Sequence, residues 1–360
     1  MSTHLAAVSL SKGQPFEIQT RPTPIPGLGE VLIAVKSIAL NPADGYMRDQ
    51  GLFISTYPTV LGFDISGLVL QVGEKVPTGI TDDNPGLSFR PGITRVAAYV
   101  AFFWKSCDPD YGAFQERCLV PWQHAAATLP VAVQVSLGVW DILGIPRVGE
   151  AAASASASSA SFSSTSLGCL LSVGTMCVQS ARLLREDPNS SFAAVYATAG
   201  WANKEYVGSL GANRVFDYKD PQVVDAIVSA AKEDGLVIRC CFLATGQLAP
   251  CQAILKAFLE DEEREKKKAK IGSAPRLPPS ADVAEGVDTI WLQPSMEEGE
   301  RLEKFQYWIW MWLRENLAKK AIKPSLEPKV VGRGLEAINS GSDLLLQGVS
   351  CAKLVVEVEL

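Results

Sequence analysis

From Leu5 to Val120 the apolar positions come in short runs broken by glycine and proline. FEIQTRP, EVLIAVKSIAL, ISGLVLQVG, ITRVAAYVAFF and GAFQERCLV read as strands, with turns at Pro26-Gly27, Gly73-Glu74 and Pro91-Gly92. That texture predicts a partly closed antiparallel barrel. Around Ala125 the period changes: AAATLPVAVQVSLGVWDILGI has helical spacing without turn punctuation. Further on, strand and helix alternate. SVGTMCVQSARLLRE predicts a helix with an apolar face at Val173, Cys177, Val178 and Ala181, and FAAVYATAG a buried strand. NKEYVGSLGA, PQVVDAIVSAAKED and PCQAILKAFLEDEEREKK predict helices, with strands at NRVFDYK, LVIRCCFLATG, KIGSAP and VDTIWLQ between or after them. Such alternation predicts a parallel sheet wrapped by helices, and the fold class is α/β.

Three segments break the pattern. Ala151–Ser166 is low in complexity and reads as a surface insertion. Glu260–Lys270, EDEEREKKKAK, places acidic residues ahead of basic ones at helical spacing, which suits a solvated helix end. The aromatic run Tyr307-Trp308-Ile309-Trp310-Met311-Trp312 reads as core or subunit packing in a helix.

The chain has 360 residues, enough for two domains, with 47% hydrophobic and 20% charged residues. A net charge of -6 points away from nucleic acid and anionic membranes. The longest apolar stretches, around Val96–Trp104 and Phe305–Leu313, are too short to span a bilayer. The N-terminus lacks a basic region followed by an apolar core, so a cytoplasmic protein is expected. Eight cysteines are scattered without a C-x-x-C pair and read as buried free thiols; only His4 and His124 could add imidazole ligands.

The stretch Glu30–Gly67 carries the chemistry. A strand leads into Asn41-Pro42-Ala43-Asp44, and after a spacer comes Leu61-Gly62-Phe63-Asp64-Ile65-Ser66-Gly67. This layout resembles the N-terminal catalytic domain of the medium-chain dehydrogenase/reductase superfamily. Zinc alcohol dehydrogenases of that superfamily carry Cys at the position of Asn41 and His at that of Phe63, and neither Asn nor Phe replaces them on zinc. The resemblance therefore implies the zinc-independent branch, with no bound metal. The phrases PDYGAFQERCLVP, RVAAYVAFF, SLGANRVFDYKDP and KAKIGSAPRLPP are similar to the fungal GroES-like oxidoreductases of this branch, which include trans-acting enoyl reductases. The closing segment also resembles the family's, with a helix carrying Leu335, Ala337 and Leu344-Leu345 before a final strand through Lys353-Leu354-Val355. The implied organisation is a GroES-like, partly open β-barrel domain over 1–127 and 318–360, and a Rossmann doubly wound domain over 128–317.

Within that resemblance Asn41, Asp44 and Tyr46 match the Asn-x-x-Asp-x-Tyr pattern of zinc-less quinone oxidoreductases and are the candidate catalytic residues. A phenol or amide can polarise a substrate carbonyl, and Tyr or water can supply the proton. Asp44 and Asp64 also have a structural reading, as partners of nearby backbone or lysine. Ser172, Val173 and Gly174 match the tail of the family's phosphate-binding turn. Leu170 and Leu171 do not match its small residues: either they intrude on the loop, or the loop is shortened and Gly168–Leu171 is itself the first strand. The chain is also shorter than the family between Val120-Pro121 and Val131-Ala132. No acidic residue follows the second strand, where an NAD site usually has one; Thr198, Asn203 and Lys204 suit a 2′-phosphate, implying NADPH. Tyr218 matches a family tyrosine of the adenosine pocket, and Thr245-Gly246 lies where the family's backbone passes the nicotinamide.

The resemblance thus implies an NADPH-dependent reductase of an activated carbon–carbon double bond in an enoyl, enone or quinone, free or carrier-bound, in fungal secondary metabolism. The alternative is a non-catalytic binding or scaffold member with an eroded cofactor loop.

Overall fold

The computed structural model describes residues 2–79, 88–125, 130–145, 147, 172–187, 192–259, 269–277, 282, 284–293 and 295–358. Ala151–Ser166, Gly168–Leu171 and most of the 260–270 charge run lie outside the described residues.

The chain opens with β1 (Thr3–Ser9), β2 (Glu17–Pro22) and β3 (Glu30–Ala39), then α1 (Pro42–Gln50). β4 (Thr59–Val60), β5 (Asp64–Val72), β6 (Arg95–Tyr99) and β7 (Arg117–Pro121) follow. Next come α2 (Pro130–Leu143), α3 (Ser172–Glu186), β8 (Tyr196–Ala199), α4 (Lys204–Ser209), β9 (Arg214–Asp217) and α5 (Val223–Glu233). β10 (Cys240–Leu243), α6 (Leu248–Lys256), β11 (Ala269–Ser273) and β12 (Val287–Trp291) complete the alternating part. The rest holds α7 (Glu298–Phe305), a π-helical stretch Gln306–Leu313, α8 (Arg314–Ala318), β13 (Glu327–Arg333), α9 (Ala337–Leu346) and β14 (Ala352–Glu357).

Two compact units result. The first comprises Met1–Val131, Met296–Glu315 and Leu326–Leu360, the second Ala132–Ser295 and Asn316–Ser325. In the first unit β1 pairs antiparallel with β2 and β4, and a six-stranded sheet runs β13-β14-β3-β5-β6 with β7 on β3. Its pairs are antiparallel except β13 with β14. β3 lies in the middle, and Glu30–Val35 are buried without interruption. That explains its near-continuous apolar sequence: a strand covered on both faces needs no polar side.

The segment 296–315 belongs with this unit because its aromatics pack there. Trp310 donates its indole N–H to the Gln123 carbonyl at 2.9 Å, and its ring meets Phe89 and Trp122. Trp308 and Trp312 are buried, as expected for packing residues, but the helix carrying them is widened to the π form.

In the second unit β8 pairs parallel with β9, and β10-β11-β12 form a parallel sheet. The α3 face of Cys177, Val178 and Ala181 is buried, as its spacing predicts. α5 buries Ile227, Ala230 and Ala231 at the i, i+3, i+4 spacing of one helix face, against a core that includes Tyr196, Cys241, Leu255 and Ile271. Among the described residues no helix is long and apolar enough to cross a membrane.

Close strand approach sets one glycine requirement. A Cβ on Gly67 of β5 would lie 2.1 Å from the Ala34 carbonyl of β3. A Cβ on Gly79 meets nothing within 4 Å. Gly67→Ala should therefore cost at least about 1–3 kcal/mol in a guanidinium unfolding titration, and Gly79→Ala close to nothing. Equal stabilities for the two variants would contradict this account of the sheet.

Candidate active site

The register of three strands builds the site. Ala39 at the end of β3 pairs with Val355 of β14 on one side and Asp64 of β5 on the other. Two residues beyond Ala39 is Asn41; two residues before Val355 is Lys353, so the same register sets them opposite each other. The Lys353 ammonium donates to Asn41 Oδ1 at 2.6 Å and lies 3.4 Å from Asp64 Oδ2. Asn41 Nδ2 donates to Asp64 Oδ2 at 3.1 Å and to the Ala39 carbonyl at 3.2 Å. Asp64 Oδ1 accepts from the Val131 amide at 3.2 Å. Asn41 and Asp64 are buried.

Asn41 is also the N-cap of α1, with Pro42 at its start and Asp44 at the third helical position. Asp44 reaches back to accept the Asn41 backbone N–H at 2.7 Å, so the local sequence itself starts the helix. Gly51, at φ 68°, ends it in the left-handed conformation that glycine adopts most readily. Arg48 ties α1 to α9 through Asp343 at 2.6 Å. A Cβ on Gly45 would come 2.9 Å from the Leu346 side chain, so the two helices pack closely here.

Asp44 has no solvent exposure, and its Oδ1 has no hydrogen-bond partner. Burial pushes its pKa up to about 7, against the downward pull of the Asn41 N–H and Lys353. Tyr46, two residues on, is 45% exposed. Of the three candidate catalytic side chains, then, the Asn41 amide is committed to protein partners, Asp44 is sealed, and the Tyr46 phenol is open to solvent.

Phe63 stands in an aromatic cluster, with ring centroids 5.7 Å from Tyr99 and 5.3 Å from Phe102. His124 is buried in the same unit: its Nδ1 hydrogen-bonds the Tyr99 carbonyl at 3.1 Å, and its ring stacks on Phe305. Burial, helped by Arg301, pushes its pKa down to about 3. His4 bonds Gln115 at 2.9 Å and Thr23. Among the described residues no group of three His, Cys, Asp or Glu side chains could hold a metal.

The candidate cofactor residues lie at helix starts and strand ends of the second unit. Ser172, Val173 and Gly174 form the first turn of α3. Thr198 is in β8; Asn203 and Lys204 begin α4 just beyond its C-terminal end. β8 and β9 run in register with Ala199 opposite Asp217, so Gly200 and Tyr218 emerge side by side. A Cβ on Gly200 would touch the Tyr218 ring at 3.6 Å, and Tyr218 is 55% exposed. Lys204 lies over the exposed Trp201 ring at 5.1 Å. Thr245 and Gly246 follow β10 and are exposed. Strand C-terminal ends are where open α/β sheets bind ligands; at this one Lys204 and Asn203 stand with Glu205 beside them in α4 and Asp217 at the end of β9.

Sequence reasoning missed two residues. Lys353 was legible only as part of a strand, although a lysine inside Lys-Leu-Val-Val is the odd member of an apolar run. Trp201, three residues before Lys204, gave no signal that its ring would lie under that ammonium.

Asp44 sets a pH dependence. Its folded pKa lies above the unfolded 3.8, so the folded state binds more protons between the two values and stability falls as pH rises from about 4 to about 7. Asp44→Asn keeps an acceptor for the Asn41 N–H and removes the titration. Its melting temperature relative to the native protein should rise across that window and level off above it. A constant difference from pH 4 to 8 would show that Asp44 does not titrate there.

Residues 27–131 match the alcohol dehydrogenase GroES-like domain. Over 98% of both chains the protein is 34% identical to a trans-enoyl reductase, tndF, of Aspergillus flavipes. Its fold matches the crystal structure of the CurK enoyl reductase at a TM-score of 0.70, with 14% identity and 99% of each chain covered. It also matches a mycobacterial protein complexed with NADPH at 0.65, with 19% identity over 98% of this chain and 99% of the other. The chain thus belongs to the medium-chain dehydrogenase/reductase superfamily of oxidoreductases, in its enoyl-reductase-like branch.

Proposed function

We propose that the protein is an NADPH-dependent reductase of a carbon–carbon double bond conjugated to a carbonyl, working without zinc on an enoyl, enone or quinone substrate. The observation that carries this reading is the state of the Asn41 amide. Ala39, Asp64 and Lys353 use its polar atoms, and Phe63 is packed among aromatics, so neither position offers a metal ligand. The side chain left to meet a substrate is Tyr46. The similarity to a trans-enoyl reductase, and the NADPH held by a structural neighbour, support the same reading.

The phosphate end falls to this chain's own cations and amides. Lys204 and Asn203 would bind the 2′-phosphate, Tyr218 the adenosine, and the first turn of α3 the pyrophosphate. A nicotinamide cofactor held by these residues would supply hydride to the carbon β to the carbonyl. The Tyr46 hydroxyl donates a hydrogen bond to the carbonyl oxygen as it becomes an enolate oxygen, where a fixed donor lowers the barrier. Being open to solvent, it also admits water as the source of the final proton. Asp44 stays out of direct contact and holds the start of α1.

The test is an activity screen with small enones and trans-2-enoyl thioesters, using NADPH or NADH. Turnover of at least one class with NADPH is expected, and Tyr46→Phe should lower kcat by about 10²-fold with KM little changed. No turnover of any substrate by protein that binds no NADPH in a fluorescence titration would instead support a non-catalytic member. A Tyr46→Phe variant with native kcat would remove the hydroxyl from the mechanism.

Cofactor choice has a separate test. Lys204→Glu should weaken NADPH binding by about ten- to a hundredfold, the loss of a charge-assisted contact worth roughly 1.5–3 kcal/mol, and leave NADH binding nearly unchanged. Equal affinity of the native protein for both cofactors would refute the preference.

A further inference from the structure

The Asn41–Asp64 pair contains its own cation. Asp44 and Asp64 are buried, and Lys353, with its side chain 14% exposed, is the ammonium between Asn41 Oδ1 and Asp64 Oδ2. That contact decides which way the amide faces. Turning the Asn41 amide over would set its NH₂ against an ammonium and its oxygen against the Asp64 carboxylate and the Ala39 carbonyl. All three contacts would become repulsive. With the amide fixed and the Asn41 N–H held by Asp44, the first turn of α1 is clamped at its N-cap. Tyr46 follows in the next turn of the same helix.

We propose that Lys353 is a positioning residue of the reducing site: its ammonium is the resident cation of the Asn41–Asp64 pair, and by fixing that amide it fixes the start of α1 and the place of the Tyr46 hydroxyl. This rests on the reading of Tyr46 as the donor to the substrate carbonyl. The buried carboxylates explain why a cation is needed. A buried charge whose partner is removed is strongly destabilising, and a carboxylate in that position takes up a proton instead. Asp44 already does so near pH 7, with Lys353 opposing the shift.

The charged and titratable groups around Lys353 come from each packed element. Asp44 lies on α1, Asp64 on β5 and Tyr99 on β6, where burial and both carboxylates hold the phenol well above its usual range. On β14 itself the nearest is Glu357, paired with Arg333 at 3.0 Å. On β13 the residue opposite Lys353 is the uncharged Pro328, flanked by exposed Glu327 and Lys329.

The experiment compares the full chain with Lys353→Met, Lys353→Arg and the double variant Lys353→Met/Asp64→Asn. Melting temperature is followed from about pH 5.5 to about pH 8.5, and kcat and KM are measured with a trans-2-enoyl thioester and NADPH. Without the cation one charge fewer opposes the burial of Asp44, so its carboxyl keeps its proton to higher pH and the Met variant should lose stability progressively as pH rises. The double variant should recover most of that loss, because no unpaired charge remains at position 64. The Met variant should lose about tenfold or more in kcat with KM within about threefold, and Arg should restore most of the rate.

A Met variant whose melting temperature parallels the native curve at every pH overturns the resident cation. One that is destabilised yet turns over at the native rate with the native pH profile overturns the positioning role. If the native protein reduces neither thioesters nor enones, the functional reading fails on its own. Coincident native and Met melting curves would even then overturn the resident cation.

Discussion

A strand hydrogen-bonded on both edges has little freedom to slide, and β3 is held by β14, β5 and β7. Its register is the constraint on which the site depends. Slipping any one of the pairings by a single residue would turn the side chains at the site end toward the opposite face. Ala39 pairs with both Val355 and Asp64, so one backbone position fixes where Asn41, Asp64 and Lys353 arrive. Gly67 matters for the same reason: β5 runs so close to β3 that a methyl group would collide with a backbone oxygen.

Burying polar groups at this junction is expensive unless each finds a partner. The protein meets the cost unevenly. Both Asn41 side-chain N–H groups and its oxygen are hydrogen-bonded, and Asp64 is bound by an amide, an ammonium and a backbone N–H. Asp44 is satisfied on one oxygen only, and burial favours its neutral form. The result is a polar floor that is well ordered around position 41 and electrostatically soft around position 44. The exposed phenol of Tyr46 stands on the helix that begins there.

Much of this was legible where the signal is local. Asn41-Pro42-x-Asp44 does start α1, with cap, first residue and returning carboxylate within four positions, but the reading of Leu5–Val120 as strands and turns passed over that helix. The alternation of strand and helix after residue 172 gives the parallel sheets, and the span of α3 follows its apolar spacing. That Asn41 and Phe63 stand where zinc alcohol dehydrogenases carry Cys and His came from the family resemblance. The pairing of Asp44 with backbone and of Asp64 with a lysine agrees with their structural reading, but which lysine could not be read. Lys353 and Asn41 are 312 positions apart, and no local pattern encodes a pairing across sheet register. The widening of the helix at Gln306–Leu313 was equally silent, since an apolar run of aromatics has the same composition whether its turns are α or π. The membership of 296–315 in the first unit depends on where those indole rings find partners, which periodicity does not show.

The distance along the chain between Lys353 and its partners has a consequence for how the protein is made. Asn41 and Asp64 leave the ribosome long before residue 353 is synthesised, separated from it by 312 and 289 positions. During that interval the β3–β5 pair can form, but its acidic end lacks its counter-ion and β3 lacks its β14 neighbour. Contacts of such long range form late and leave strand edges uncovered while they wait. The N-terminal half of the first unit therefore reaches its final arrangement only after nearly the whole chain has been translated, and until then the end of β3 that β14 covers stays an open strand edge.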